Sequence, residues 1–171
     1  MIEPSGPARV LLVRHAEKPR SKRDPSLSAK GRQSAERLAR LLPVRFPFVA
    51  FLFAARSRPT SRRPEETLEP MASLLGLPID TRFDEDDPDV FARELAEAPY
   101  AQAHVLVAWR HDGLPALARA LGAQDVPETW DAAVYDRLWI IDYGFDRSVR
   151  FRDERLWEKA PAPVSGTSLT A

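Results

Sequence analysis

Three short apolar runs alternate with helical patterns along this chain, and this alternation constrains the fold more than any other feature. The runs cover residues 10–13, 48–54 and 104–109. Continuous apolar runs of this length are typical of strands buried on both faces. The sequence therefore predicts a three-layer α/β sandwich, in which helices cover both sides of a mostly parallel sheet.

Capping residues, glycine and proline mark the ends of the predicted helices. Ser28 is the expected N-cap of the first helix, and Pro43 is expected to stop it. The second helix is predicted over residues 63–75, where Gly76 closes it. Further helices are predicted over residues 90–98 and 114–121, and an antiparallel edge over residues 139–142 and 148–152 with a turn at Gly144.

The composition limits the class of protein. One domain is expected over residues 8–159, with flexible ends at 1–7 and 160–171 where proline and small residues gather. The 25 basic and 25 acidic residues balance, so no overall field attracts nucleic acid or a membrane. The absence of cysteine excludes a thiol nucleophile and thiolate metal sites. With neither a signal-like start nor a long apolar stretch, the sequence predicts a cytoplasmic protein of unspecified oligomeric state.

Histidine and arginine gather at one edge of the predicted sheet. In open α/β sheets, ligands bind beyond the carboxyl ends of the strands. The first run ends in Arg14 and His15, the third is followed by Arg110 and His111, and residues 55–62 after the second are rich in arginine. Arginine matches phosphate oxygens with two parallel hydrogen bonds, and a neutral imidazole attacks phosphorus. This edge therefore favours a phosphoryl group over a metal ion.

Four segments, in order, resemble motifs of the histidine phosphatase superfamily, which includes the phosphoglycerate mutases. They are Arg14-His15-Ala16, LSAKGR at 27–32, RPEET at 63–67, and His111. The resemblance covers about residues 9–122. It implies that His15 is the phosphorylated nucleophile and that Arg14, Arg63 and His111 complete the phosphate pocket. It also implies a phosphoric monoester hydrolase without cofactor or metal, acting on a small-molecule or peptide phosphate ester.

The motifs depart from the family pattern at two positions. Ala16 stands where glycine is usual, and its small side chain leaves the pocket open. Pro64 follows the second-motif arginine, which is tolerated in the first turn of a helix. Arg62 is a rival for the role of Arg63, but the spacing to Thr67 favours Arg63.

The general acid has several candidates. In phosphoglycerate-mutase-like proteins it is a glutamate in the loop that FDEDDPD, residues 83–89, matches here. Glu85 is therefore the first choice, and Asp84 and Asp86 are close alternatives. Asp112 is another, because His111-Asp112 resembles the HD pair of the histidine acid phosphatases.

The remaining residues of interest have more general interpretations. Seven cations are predicted either to surround the pocket or to lie in solvated loops: Lys18, Arg20, Lys22, Arg23, Arg56, Arg58 and Arg62. His104 opens a strand and is predicted to lie outside the site, while Trp109 and Trp130 are predicted to pack in the core or at its rim. A non-catalytic phosphate-binding module and, with less support, a phosphoglycerate mutase are the alternative functions.

Overall fold

The computed structural model of the protein describes residues 6–157, so the predicted flexible end at 160–171 and most of that at 1–7 lie outside the described residues. The elements in chain order are β1 (Arg9–Arg14), α1 (Ala29–Arg45), β2 (Val49–Ala54), α2 (Arg63–Leu75), β3 (Ile79–Asp80), α3 (Pro88–Leu95), a 3-10 helix (Ala98–Tyr100), β4 (His104–Trp109), α4 (Leu114–Ala120), β5 (Arg137–Tyr143) and β6 (Val149–Arg155).

The strands form one six-stranded sheet in the order β3-β2-β4-β1-β5-β6. Strands β1 to β4 are parallel to one another, whereas β5 and β6 form an antiparallel hairpin beside β1. Arg14 pairs with Trp109 in the register of β1 and β4. The loops after β1, β4 and β2 therefore leave the same edge of the sheet on neighbouring strands.

Each face of the sheet is covered by a pair of helices. Val10 and Leu12 of β1 pack in a core with residues of α3 and α4, while Leu11 and Val13 pack with residues of α1 and α2. Successive side chains of a strand point to opposite faces, so a strand apolar at every position is buried on both sides. The predicted three-layer sandwich with a mostly parallel sheet is confirmed.

Two local predictions were wrong. Helix α1 passes Pro43 and ends at Arg45, and α2 likewise contains Pro70. A proline removes one helical hydrogen bond, and in α1 the burial of Leu38, Ala39 and Leu42 against the sheet outweighs that loss. The amide of Phe46 then closes the helix by donating to the carbonyl of Leu42 at 2.7 Å. The short strand β3 was not predicted, since its two residues give no periodic pattern. Among residues 6–157, no helix is both long and apolar enough to cross a bilayer.

Candidate active site

His15 lies at the base of the candidate site, directly after β1. Its backbone amide donates to the carbonyl of Trp109 at 3.0 Å, which extends the β1–β4 pairing by one residue. Only 5% of the residue is exposed. The sheet therefore fixes the backbone of His15 beside the segment that carries His111.

The imidazole of His15 is neutral at physiological pH. Burial, the hydrogen bond to Ala16, which acts in the opposite direction, and the charges of Arg14 and Arg63 together bring its pKa down to about 4, with burial as the largest cause. Nδ1 lies 2.7 Å from the carbonyl oxygen of Ala16. A carbonyl only accepts, so Nδ1 carries the proton. Nε2 therefore keeps its lone pair, which is the form of histidine that acts as a nucleophile.

Arg14 is buried beside His15 and held by a distant loop. Its Nη1 donates to the carbonyl oxygen of Ala132 at 2.6 Å, and its guanidinium carbon lies 3.8 Å from the centre of the Tyr135 ring. The same ring lies 6.5 Å from the imidazole of His15 in an edge arrangement. Nε of Arg14 is buried without a hydrogen-bond partner among residues 6–157. Tyr135 is thus a site residue that the sequence analysis missed, since no motif marks it.

Arg63, the first residue of α2, is buried in the site, whereas Arg62 points outward. The guanidinium of Arg63 donates to the carbonyl oxygens of Ser26, at 3.1 Å, and Asp24, at 2.5 Å. The side chain of Arg62 is 58% exposed and pairs with Glu66 at 2.9 Å. Arg63 also lowers the pKa of His15, so its charge reaches the imidazole. The structure therefore brings Arg63, and not Arg62, towards the candidate nucleophile.

Thr67 joins the histidine loop to helix α2. Its Oγ1 accepts from the amide of Ala16 at 2.9 Å and donates to the carbonyl oxygen of Arg63 at 2.6 Å. Thr67 is 2% exposed, so both bonds are shielded from water. The start of α2 and the residue after His15 are consequently held in one arrangement.

The loop of residues 17–28, here called the basic loop, is closed at its base. The amide of Ser28 donates to the carbonyl oxygen of Glu17 at 2.9 Å, and the Ser28 hydroxyl caps α1 by accepting from Gly31 at 3.0 Å. A Cβ at Gly31 would lie 2.2 Å from that same Glu17 oxygen. Glycine at this position therefore allows α1 to approach the chain that follows His15.

His111 follows β4 and faces the same site. Burial lowers its pKa, and the charges of Arg14 and Lys18 add to this effect while Asp112 opposes it. Its Nδ1 is buried without a partner among residues 6–157. His111 in turn lowers the pKa of His15. The charges of the two histidines are thus coupled, and Nδ1 of His111 is a buried polar atom without a partner in the described part of the chain.

Glu85 is the most buried of the candidate acids, with 8% of its side chain exposed. Its Oε1 lies 2.5 Å from Nη1 of Arg110 and 3.3 Å from Nη1 of Arg58. Burial raises the pKa of Glu85 and outweighs the opposing effect of the two guanidinium groups. Glu85 and Asp112 both line a surface pocket, together with Asp86, Arg110 and Gly113.

The other candidate acids either have a pKa that hydrogen bonds and positive charge lower, or are more exposed than Glu85. A hydrogen bond from the amide of Asp86 lowers the pKa of Asp84, and Arg58 lowers it further. Burial alone would raise the pKa of Asp112, but the hydrogen bond and charge of Arg110 lower it overall. Asp86 is 76% exposed and pairs with Arg58. The pKa of Glu85 is therefore raised, whereas those of Asp84 and Asp112 are lowered.

The cations predicted around the pocket divide into two groups. Those of the 55–62 segment are engaged, since Arg56 donates to the Arg82 carbonyl, Arg58 pairs with three carboxylates and Arg62 pairs with Glu66. Those of the basic loop are exposed and have no ion pair with any carboxylate of residues 6–157: Lys18, Arg20, Lys22 and Arg23.

His104 and the two tryptophans singled out in the sequence have other positions in the fold. His104 begins β4, at the opposite edge of the sheet, and its ring meets the edge of Phe48 at 6.0 Å. Trp109 and Trp130 are buried in the core. Within the described range, no three histidine, aspartate or glutamate side chains are grouped so as to hold a metal ion.

Solved structures with the same fold include two phosphatases and a phosphoglycerate mutase. The protein histidine phosphatase SixA, in complex with tungstate, matches with a TM-score of 0.61 at 16% identity, over 86% of this chain and 97% of its own. Mycobacterial glucosyl-3-phosphoglycerate phosphatase matches with a TM-score of 0.59 at 15% identity, over 86% of this chain and 97% of its own. Phosphoglycerate mutase of Plasmodium falciparum matches with a TM-score of 0.58 at 14% identity, over 84% of this chain and 87% of its own.

The chain therefore has the histidine phosphatase fold, as the sequence motifs predicted. No protein-family sequence model matches it, and no curated protein matches it in sequence. The likeness to these structures thus lies in the architecture, and a shared fold does not by itself assign a function.

Proposed function

We propose that this protein is a phosphatase that hydrolyses phosphomonoesters through a phosphohistidine intermediate on His15. The observation that carries the proposal is the state of the imidazole: it is buried and neutral, and Nδ1 is fixed by Ala16 so that Nε2 is free. Two buried guanidinium groups, Arg14 and Arg63, lie beside it. A neutral nucleophile flanked by permanent positive charge suits attack on a phosphate dianion.

In the first step, Nε2 of His15 attacks phosphorus, and the bond from phosphorus to the ester oxygen breaks. The departing oxygen takes a proton from a general acid, for which Glu85 is the first choice because burial raises its pKa. In the second step, water attacks the phosphohistidine and gives a proton to the carboxylate. The P–N bond breaks, and inorganic phosphate leaves with Nε2 free again.

Arg14, Arg63 and His111 are proposed to bind the non-bridging phosphate oxygens. The orphaned Nε of Arg14 and the unpartnered ring nitrogen of His111 are buried polar atoms that a phosphate would satisfy. Fixed donors aimed at developing negative charge stabilise the transition state without reorganising. These groups would take over the charge-neutralising role that magnesium has in many phosphotransfer enzymes, so turnover is expected to survive exhaustive chelation.

A hydrolase is favoured over the two alternatives. A binding module that had lost catalysis would not need a neutral nucleophile and two clamping arginines together, and all of these residues are in place. A mutase must hold its substrate between two transfers, and this short chain lacks the long insertions that would enclose it. The substrate is proposed to be a small-molecule or peptide phosphate ester, and a cytoplasmic location stays a prediction.

Rapid quenching into alkali after brief exposure to an aryl phosphate tests the proposal. A phosphoramidate is labile in acid and comparatively resistant to alkali, so peptide mapping should find label on His15. His15→Gln should lose both label and turnover, while His104→Gln, a histidine outside the site, should keep both. Label on another residue, or an enzyme that turns over without label under any quench condition, would contradict the mechanism.

A further inference from the structure

The basic loop is anchored at both ends to the candidate active site. At its base, Glu17 follows two residues after His15 and accepts from the Ser28 amide at 2.9 Å. Near its far end, the carbonyl oxygens of Asp24 and Ser26 accept from the guanidinium of Arg63. A closed loop that starts beside the nucleophile and returns to the clamping arginine lies at the rim of the pocket.

Four cations project from this loop into solvent, and the loop's own acidic groups do not neutralise them. Glu17 pairs with Lys30 at 3.6 Å, and the carboxylate of Asp24 accepts from the amide of Ser26 at 2.9 Å. The protein as a whole has balanced charge, and Arg58, Arg62 and Arg110 near the site are paired with carboxylates. The exposed charge of the basic loop is therefore local and free to meet a ligand.

This charge reaches the pocket itself. Lys18 lies three residues after His15, and its charge contributes to lowering the pKa of His111. Arg20, Lys22 and Arg23 follow within five residues and are all exposed. The cations thus extend outward from the place where the phosphate is proposed to bind.

We propose that the basic loop binds acidic residues that flank the phosphorylated residue of a peptide or protein substrate. The inference rests on the proposed phosphatase function and names its substrate class. A small-molecule substrate with one further carboxylate or phosphate group would need only one or two cations, close to Lys18, to bind that group. Four exposed cations spread along a loop suit several carboxylates spread along an extended chain, where complementary charge aids both encounter and selection.

The experiment compares substrates with the same leaving group. Two phosphotyrosyl peptides, one flanked by Asp and Glu and one by Gln and Ser, are measured against p-nitrophenyl phosphate. The loop variant is K18Q/R20Q/K22Q/R23Q. The matched control, R40Q/R93Q/R147Q/R150Q, removes the same charge from exposed positions outside the site.

The wild-type protein is expected to prefer the acidic peptide about tenfold in kcat/KM, since several exposed ion pairs contribute modestly each. The preference should fade at high salt because exposed charges are screened. The loop variant should lose it, with a much smaller effect on p-nitrophenyl phosphate, while the control variant keeps it. Fluorescence anisotropy with the His15→Gln protein should reproduce the same order of peptide binding without turnover.

Three results would overturn the inference. The first is equal use of both peptides by the wild-type protein. The second is a preference that survives in the loop variant. The third is a greater loop-dependent preference for a compact polyanion such as an inositol polyphosphate. If the wild-type protein hydrolyses none of the substrates, the proposed function fails instead, and the anisotropy measurement still decides whether the loop selects acidic peptides.

Discussion

The guanidinium of Arg14 lies 3.8 Å from the centre of the Tyr135 ring, so an aromatic face from the segment before β5 supports an arginine at the end of β1. The same segment supplies the carbonyl oxygen of Ala132 that accepts from Nη1 of Arg14. With the ring below and the carbonyl on one side, the guanidinium has few orientations open to it. We therefore infer that Tyr135 positions Arg14 for its proposed role in binding phosphate.

Replacing Tyr135 by leucine should weaken phosphate binding. A partly buried cation–π contact is worth about 0.5 to 2 kcal/mol, so kcat/KM should fall about 2- to 30-fold and the Ki for inorganic phosphate should rise in parallel. Tyr135→Phe keeps the ring face and should behave like the wild-type protein. Equal damage from phenylalanine and leucine would assign the effect to the hydroxyl group and contradict the stacking argument.

Arg63→Ala should damage catalysis far more than Arg62→Ala. Removing one preorganised charged donor that faces the negative charge of the transition state costs on the order of 100- to 1000-fold in kcat. Arg62 lies mostly in solvent, and its ion pair with Glu66 should contribute little. Steady-state kinetics of both variants on one aryl phosphate checks this, and equal small effects would show that Arg63 does not contact the phosphate.

Glu85→Gln should slow esters with poor leaving groups more than aryl phosphates, because an alkyl oxygen needs the proton that Glu85 is proposed to give. The rate ratio between an aryl and an alkyl phosphate should therefore widen by about 10-fold or more. Asp112→Asn is the matched comparison, since this carboxyl lines the same pocket but has a lowered pKa. A ratio that widens for Asp112→Asn alone would move the acid role to Asp112.

His15 should make the protein sensitive to acid. Its pKa is about 4 in the folded protein and near 6.5 when unfolded, so between these values the unfolded chain binds a proton that the folded protein excludes. Stability should consequently fall as the pH drops from 6.5 towards 4, by about 3 kcal/mol in total from this group.

Urea unfolding at pH 7.5 and pH 4.5 measures that contribution. His15→Gln should lose less stability across this interval than the wild-type protein, by about 2 kcal/mol. His104→Gln should differ less from the wild-type protein, because that histidine is only partly buried. An identical pH dependence in the wild-type protein and His15→Gln would mean that the imidazole is not held neutral by the fold.

The sequence was informative where one segment determines its own structure. The apolar runs predicted the positions of β1, β2 and β4. The spacing between the second-motif arginine and Thr67 favoured Arg63 over Arg62, and Arg63 is the first residue of α2. Pro43 was misleading because a proline weakens a helix without always ending it, as Pro70 inside α2 also shows. The start of a helix and the burial of a strand are features that a short segment of sequence can predict.

The parts that the sequence did not predict depend on contacts between distant segments. Nothing near Tyr135 indicates that its ring meets Arg14, because that contact exists only once β5 lies beside β1. The carboxyl groups of residues 84–86 look alike in sequence, and only burial against Arg58 and Arg110 separates Glu85 from its neighbours. The roles of all these residues stay predictions until the variants are measured.

The hairpin of β5 and β6 turns at the edge of the sheet opposite the candidate site. Tyr143 ends β5 and donates its amide to Ala8, just before β1, while His15 follows the other end of β1. The turn residue Phe145 is 82% exposed. The sequence contains no cysteine, so a cysteine introduced at this turn would be its only thiol. Attachment to a surface through that cysteine would hold the molecule with its candidate site facing away from the support.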